Sequence, residues 1–335
     1  MAELATFAVL GAGSWGTALA VLLANNGHPT LLWGRDRDRM AAMARERANP
    51  YYLPGATFPA QLQPVSDLGK LLATTGELLV AVPSHVFRAT LESVYRVRPS
   101  DLRLAWATKG LEPATQYLFH RVATDIFGET IPTAVVSGPT FAKEVVAGLP
   151  TAVTVASRFP AYADWLAGCL RNDSFRPYTS DDIVGVQLGG AVKNVLAIAA
   201  GIADGLGFGA NARAALITRG LAEIMRLGDA LGGRRETFMG LAGLGDLVLT
   251  CTDDLSRNRR FGLLLGKGHT VEEGLAAVGQ VVEGLTTVRE VVALAGRLKV
   301  EMPITHQVNR VLWEGLPPRE AVQGLLARAL RAEVV

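Results

Sequence analysis

The chain predicts an α/β fold: a doubly wound, mainly parallel sheet in residues 1–180, followed by an all-α domain in residues 181–335. Three observations predict it. The first half alternates short β-branched runs with helical patterns, as βαβ units do. After Thr179-Ser180-Asp181-Asp182, long apolar-periodic stretches take over and convincing strands disappear. The 335 residues are 49% hydrophobic and 19% charged, enough core material for about two domains and too apolar for a disordered chain.

The elements follow in order. Residues 6–10 are the first strand and 17–25 the first helix, stopped by Gly27. Residues 30–33 are the second strand and 37–48 the next helix. Residues 78–82 form a further strand, with Pro83 and Ser84 placed to open a helix running to Tyr95. Residues 103–107, 133–136 and 151–156 complete the strands. Ser180 and Asp181 are candidate N-caps for a helix reaching about Asp204, and acidic residues suit its positive end. That helix would be roughly 36 Å long. Further helices are expected over 213–231, 255–265, 271–277, 286–298, 304–314 and 318–331. No polar linker separates the halves, so a shared interface is expected, and a cleft there is a common place for a ligand.

Charge and cysteine usage narrow the function classes. Lys and Arg number 33 against 31 Asp and Glu, a net +2, so no basic field for nucleic acid is expected. Cys169 and Cys251 stand apart, without a CxxC pair or a Cys/His cluster. No metal site is expected, and the two read as reduced structural thiols of a reducing compartment. The start, MAELATFAVLGAG, lacks the basic region of a signal peptide. The longest apolar stretch, 184–210, contains Lys193, Asn194, Asp204 and many glycines. It reads as a buried helix, so no stable membrane anchoring is expected. No role is assigned to His85, His120 or His306, and His28 and His269 read as loop residues.

The strongest local signal is Gly11-Ala12-Gly13-Ser14-Trp15-Gly16, a GxGxxG directly after a strand and at the start of a helix. Gly11 permits the tight turn, Gly13 lets a pyrophosphate approach the backbone, and Gly16 lets helix and strand pack closely. The helix N-terminus then offers N–H groups and a positive dipole end to phosphates. This makes the first domain a Rossmann-type dinucleotide domain. After the second strand comes Trp33-Gly34-Arg35-Asp36-Arg37. Arg35 lies where a guanidinium holds a 2′-phosphate or stacks on adenine, while Asp36 can serve a ribose 2′-hydroxyl. NADP(H) is favoured and NAD(H) is possible. The run Gly262-Leu263-Leu264-Leu265-Gly266-Lys267-Gly268 imitates a phosphate loop. It has three residues between the glycines instead of four, lacks the Ser/Thr, and lies in a helical region.

Only six of the 33 basic residues are lysines, so a lysine in apolar surroundings needs a reason. Lys193 sits in Gly189-Gly190-Ala191-Val192-Lys193-Asn194-Val195. Partial burial disfavours its ammonium form, and a lysine so tuned exchanges protons near neutral pH; the competing reading is a snorkelling or structurally paired lysine. Lys109 follows a strand, at the edge where doubly wound sheets bind ligands. Asp246, in Gly243-Leu244-Gly245-Asp246-Leu247, either pairs with Lys193 or caps the turn that follows. Ser256-Arg257-Asn258-Arg259-Arg260 is a donor cluster near a helix start, suited to a phosphate or to solvent.

On these residues the chain resembles the bacterial NAD(P)-dependent sn-glycerol-3-phosphate dehydrogenases. The matching segments are GAGSWGTALA at 11–20, VPSH at 82–85, ATKGLE at 107–112, SGPTFAKEV at 137–145, the long blocks 189–220 and 240–262, and QVVEG at 280–284. The resemblance spans nearly the whole chain. It implies reversible reduction of dihydroxyacetone phosphate to sn-glycerol 3-phosphate with NAD(P)H, feeding glycerophospholipid synthesis, in a cytoplasmic enzyme that is often a homodimer. It implies that Lys193 is the proton donor and acceptor. It implies substrate contacts at Lys109, Gly138, Thr140, Lys193, Asp246, Ser256, Arg257 and Asn258. Cofactor contacts are implied at Ser14, Trp15, Arg35, Lys109, Ala142, Arg257, Val281 and Glu283, beside the glycines of the loop. Asn194 and Thr250 would support the site. Two rivals are a β-hydroxyacid or 6-phosphogluconate-type dehydrogenase of similar architecture and a non-catalytic dinucleotide sensor. The 240–247 segment and the Ser-Arg-Asn block speak against the first, and the joint presence of Lys193, Asp246 and Arg257 against the second.

Overall fold

One sheet organises the N-terminal part of this computed structural model, which describes residues 4–97 and 101–327. The strands are β1 (Phe7–Leu10), β2 (Thr30–Trp33), β3 (Ala48–Asn49), β4 (Leu53–Thr57), β5 (Leu62–Val65), β6 (Glu77–Val80), β7 (Arg103–Trp106), β8 (Thr133–Ser137), β9 (Thr151–Ala156) and β10 (Phe175–Ser180). β3 and β4 form a small antiparallel hairpin of their own. The others form one sheet in the order β10-β9-β8-β7-β6-β1-β2-β5. From β5 to β8 every pairing is parallel; β9 runs antiparallel to β8, and β10 parallel to β9. The parallel strands thus follow the order third-second-first-fourth-fifth-sixth, with the chain reversing its direction of winding beside β1. Phe7, Val9, Leu19, Leu23, Leu32 and Leu79 are buried between β1 and its neighbours, as parallel strands covered on both faces require.

The helices of this part are α1 (Ser14–Asn25), α2 (Arg37–Glu46), α3 (Leu68–Leu72), α4 (Phe87–Val97), α5 (Phe119–Phe127), α6 (Ala142–Val146) and α7 (Pro160–Leu170). Several boundaries differ from expectation. α2 stops at Glu46 because Arg47 turns left-handed (φ 49°), and Ala48–Asn49 then enters the hairpin. A 3₁₀ turn, Ser84–Val86, precedes α4. Residues 175–180 are an edge strand, so Ser180 ends β10 and its hydroxyl accepts from the Asp182 N–H (3.1 Å).

The chain divides into two compact units, one of Met1–Glu112 and Phe119–Ile183, the other of Pro113–Leu118 and Val184–Val335. The described part of the second is helical: α8 (Ile183–Gly205), α9 (Gly209–Leu231), α10 (Arg235–Met239), α11 (Asp246–Thr252), α12 (Arg257–Gly266), α13 (Val271–Val278), α14 (Glu283–Leu298), α15 (Pro303–Trp313) and α16 (Pro318–Leu326). Of the helix expected over 318–331, the last four residues lie outside the described residues. α8 is long and apolar enough to cross a membrane, but nearly all of it is buried inside the protein, as in a core helix.

Glycines set how close the helices come to α8. A Cβ on Gly262 would overlap the Ile198 carbonyl, one on Gly266 the Ile202 carbonyl, and one on Gly201 the Arg259 carbonyl. The imitation phosphate loop is therefore a packing face that lets α12 lie backbone against backbone on α8. Along one line of contacts, partners on α12 stand sixty-four positions after those on α8: Asn258 with Asn194, Gly262 with Ile198, Gly266 with Ile202. The two helices run parallel in fixed register, which carries the first turn of α12 to the turn of α8 that holds Lys193.

Candidate active site

In the first unit the relevant loops all leave the carboxyl ends of neighbouring parallel strands. The glycine loop follows β1. Gly11 has φ 122°, and a Cβ there would stand 2.6 Å from the Ala81 carbonyl oxygen; a Cβ on Gly16 would overlap the Gly11 carbonyl. A Cβ on Gly13 would meet nothing within 4 Å. Two of the three glycines are thus required by the protein's own packing, and the third leaves room for something outside it. α1 begins here without a side-chain cap, so its first N–H groups are offered outward. Ser14 donates its hydroxyl to the Tyr52 carbonyl (2.7 Å), away from the helix end. The Trp15 indole N–H is buried without an acceptor among the described residues. An uncapped helix end, an open glycine and an unpaired donor fit a dinucleotide pyrophosphate.

The residues after β2 divide their tasks. Arg35 is exposed. Asp36 caps α2, its Oδ1 accepting from the Arg39 N–H (3.0 Å). A Cβ on Gly34 would overlap the Met40 sulfur and press on Ala12 Cβ (3.2 Å). After β7, Thr108 donates to the Val82 carbonyl (2.9 Å), and Glu112 pairs with Arg88 of α4. Between these two anchors stands Lys109, whose Nζ donates to the Gly138 carbonyl (3.4 Å). Thr140 donates to the same carbonyl (3.2 Å). Gly138 has φ 149°, and a Cβ there would lie 3.0 Å from Val153 Cα. Ala142 opens α6 nearby. Lys109, Gly138 and Thr140 are thus brought together.

The second unit gathers the others. Lys193, 6% exposed on α8, ion-pairs with Asp246, which is 0% exposed. Its Nζ also donates to Thr250 Oγ1 (2.9 Å), while Thr250 donates to the Asp246 main-chain carbonyl (2.6 Å). Of the two roles open to Asp246, the side chain takes the pairing. The local sequence explains how. Residues Leu241–Gly245 form a π-helical turn, and Gly189, one turn before Lys193, has no side chain to hold off Ala242. The turn lies directly on α8 and delivers Asp246 beneath the lysine. Beside it runs a second chain of hydrogen bonds. The Gly284 N–H donates to Asn258 Oδ1 (2.9 Å), Asn258 Nδ2 to Asn194 Oδ1 (3.0 Å), and Asn194 Nδ2 to Glu283 Oε2 (3.0 Å). Asn194, Asn258 and Glu283 are thereby one unit spanning α8, α12 and α14.

The donor cluster at the start of α12 separates. Ser256 caps the helix, accepting from the Arg259 N–H (3.2 Å) and keeping its own proton to donate. Arg257 is half-buried at the first helical position. Arg259 turns inward, bridging Asp204 (2.6 Å) and Asp254, and Arg213 reaches Asp204 as well (2.9 Å). Arg259 therefore serves α12 and not a phosphate, and Arg260 is exposed. Val281 is exposed just ahead of α14. The thiols of Cys169 and Cys251 are free and buried, and burial pushes both up to about 12.

Comparison with known proteins decides the family. The profile of the NAD-dependent glycerol-3-phosphate dehydrogenase N-terminus matches residues 6–163, and that of its C-terminus residues 182–323. The chain belongs to the NAD-dependent glycerol-3-phosphate dehydrogenase family. It is 58% identical to the glycerol-3-phosphate dehydrogenase [NAD(P)+] of Aeromonas salmonicida, over 99% of this chain and 100% of that one. It is 59% identical to the enzyme of that name from Thioalkalivibrio sulfidiphilus, over 97% and 98%. The crystal structure of glycerol-3-phosphate dehydrogenase from Coxiella burnetii superposes with a TM-score of 0.94 at 49% identity, covering 96% of this chain and 99% of that one. Among members of this dehydrogenase family a dinucleotide domain and a helical domain are expected together, and both are present here.

The sequence singled out neither Asn49 nor Tyr52, nor the pairing of Arg88 with Glu112 or of Arg259 with Asp204. Each acts on loops that carry the predicted residues. Only Arg259 left a signal, as an extra arginine in an already basic cluster.

Proposed function

We propose that this chain catalyses the reversible reduction of dihydroxyacetone phosphate to sn-glycerol 3-phosphate with NADPH in preference to NADH, supplying glycerophospholipid synthesis. The observation that carries the reading is the buried Lys193–Asp246 pair in a chain of this family. When bound, the nicotinamide supplies a hydride from C4 to substrate C2. Lys193 gives its Nζ proton to the C2 oxygen as negative charge grows there, and takes the hydroxyl proton in the reverse direction. Asp246 and Thr250 hold Nζ in place and stabilise its charged form.

Arg257 faces the substrate phosphate with its fork, and the Ser256 hydroxyl donates a hydrogen bond to it. Asn258, Lys109, Gly138 and Thr140 orient the rest of the substrate. Gly11, Gly13, Ser14, Trp15 and Gly16 hold the pyrophosphate, and Arg35 the adenosine 2′-phosphate. Ala142, Lys109, Arg257, Val281 and Glu283 make the remaining cofactor contacts. The reading places a homodimer in the cytoplasm, which the family resemblance supports.

The test is NADPH oxidation by the purified protein with dihydroxyacetone phosphate, run beside NADH and beside unphosphorylated dihydroxyacetone. Turnover that needs the phosphate is expected. A folded protein that binds NADPH but turns over neither substrate would end the proposal.

A further inference from the structure

We infer that Asn49 is a positioning residue for the cofactor's pyrophosphate, acting through the peptide that joins Ala12 to Gly13; the inference rests on the reading of the glycine loop as the pyrophosphate cradle. Asn49 is 1% exposed and lies outside the loop, in the hairpin strand β3. Its Nδ2 donates both protons inward, one to the Ala12 carbonyl (3.0 Å) and one to Thr17 Oγ1 (2.8 Å). Its Oδ1 accepts from the Tyr52 N–H (3.3 Å). The Tyr52 carbonyl accepts in turn from Ser14 (2.7 Å). One asparagine thus ties the hairpin to the middle of the glycine loop and to the first turns of α1.

The direction of these bonds matters. A trans peptide is planar, with its carbonyl and N–H pointing opposite ways. Asn49 draws the Ala12 carbonyl inward, so the Gly13 N–H of the same peptide points away from Asn49. Ser14, spent on Tyr52, does not fold back to cap α1. The helix end and the Gly13 N–H are therefore held as anion donors before any ligand arrives, which lowers the ordering cost of binding. Asparagine is required by this arrangement. Aspartate has the same shape but no N–H to give, and it would set a carboxylate against the Ala12 oxygen, beneath the phosphates.

The experiment is direct titration of the full chain with NADPH and with NADH, following nucleotide fluorescence, for the wild type and for Asn49→Ala, Asn49→Asp and Asn49→Ser. Both cofactors share the pyrophosphate, so both should lose affinity by the same factor. A loss of roughly ten-fold is expected for Asn49→Ala, more for Asn49→Asp, and less for Asn49→Ser, which keeps one donor. The NADPH-to-NADH ratio of kcat/KM should stay constant, and KM for dihydroxyacetone phosphate at saturating cofactor should stay within about two-fold. A protein that merely lost stability would show a lower Tm with wild-type affinity in its folded fraction, and that result would overturn the inference. So would a loss confined to NADPH, which would assign Asn49 to the adenosine end. Should Asn49→Asp fail to fold, the alanine and serine variants decide. Failure of the unaltered protein to bind either cofactor would overturn the reading of the loop itself.

Discussion

Lys193 carries two burdens at once, and they separate by mutation. It is the proposed proton donor, and it is the cation that ion-pairs with Asp246, a carboxylate with no exposure. Lys193→Ala should lower kcat by roughly 10²-fold or more while leaving cofactor affinity in place. The same change takes the Lys193 charge away from the buried Asp246 carboxylate, at a stability cost of about 3–5 kcal/mol. The double variant Lys193→Met with Asp246→Asn should regain much of that stability and none of the turnover. Thermal melts beside steady-state kinetics check both halves; a single lysine variant within a few-fold of wild-type kcat would end the proton-transfer role. At the adenosine end, Arg35→Ala should lower the NADPH-to-NADH ratio of kcat/KM, and an unchanged ratio would remove Arg35 from 2′-phosphate recognition. Residues of this kind were legible because they are out of place in the sequence: a lysine in an apolar run of an arginine-rich chain, or a carboxylate among glycines. Asn49 was not legible. The groups its amide donates to, a carbonyl and a hydroxyl, are more than thirty positions away, and an asparagine before Pro50 looks like any turn residue.

Elements were legible where their pattern was uninterrupted and hidden where proline broke it. β5 contains Pro64 and β10 contains Pro177, and neither was expected as a strand. Both lie at the edges of the sheet, where a missing N–H costs no ladder bond on the outer side. The prolines that hid these strands are thus tolerated because of where the strands lie. Glycine had the opposite ambiguity. The spacing Gly262 to Gly266 suggested a nucleotide loop, but its partner is the backbone of α8. Gly262→Ala should therefore destabilise the protein by about 1–3 kcal/mol through overpacking. It should also raise KM for dihydroxyacetone phosphate, because Asn258 lies one turn away and would be drawn from Asn194. Gly296→Ala is the contrast: its Cβ would meet nothing within 4 Å on α14, and it should stabilise by about 0.4–1 kcal/mol. Opposite shifts in Tm for the two glycines would support the seam, and equal shifts would refute it.

At the scale of the whole molecule, acid stability is tied to a histidine remote from the chemistry. His28 is in a loop, as expected, yet it is buried against Phe7, with Nδ1 near the Ala5 backbone (3.3 Å). Burial lowers its pKa from 6.5, outweighing the Ala5 bond that raises it. The unfolded chain binds this proton near 6.5 and the folded chain only at lower pH. Stability from this group is therefore complete above 6.5 and declines as pH falls below it toward the lowered folded value. Tm should drop as pH falls below about 6.5, and His28→Phe, which keeps a ring but no proton, should flatten that slope. An identical slope in the variant would place the acid sensitivity elsewhere.

The register between α8 and α12 also has a consequence for how the protein is made. α9 follows α8 immediately and can cover one side of it, where Gly220 meets Leu196. The glycine-matched side waits for Gly266, sixty-one residues after Gly205. At ordinary synthesis rates of 5–20 residues per second, that is roughly 3–12 s. For that interval the nascent chain presents the bare flank of a long apolar helix to the ribosome surface and to chaperones, and any message truncated before codon 266 leaves it bare for good.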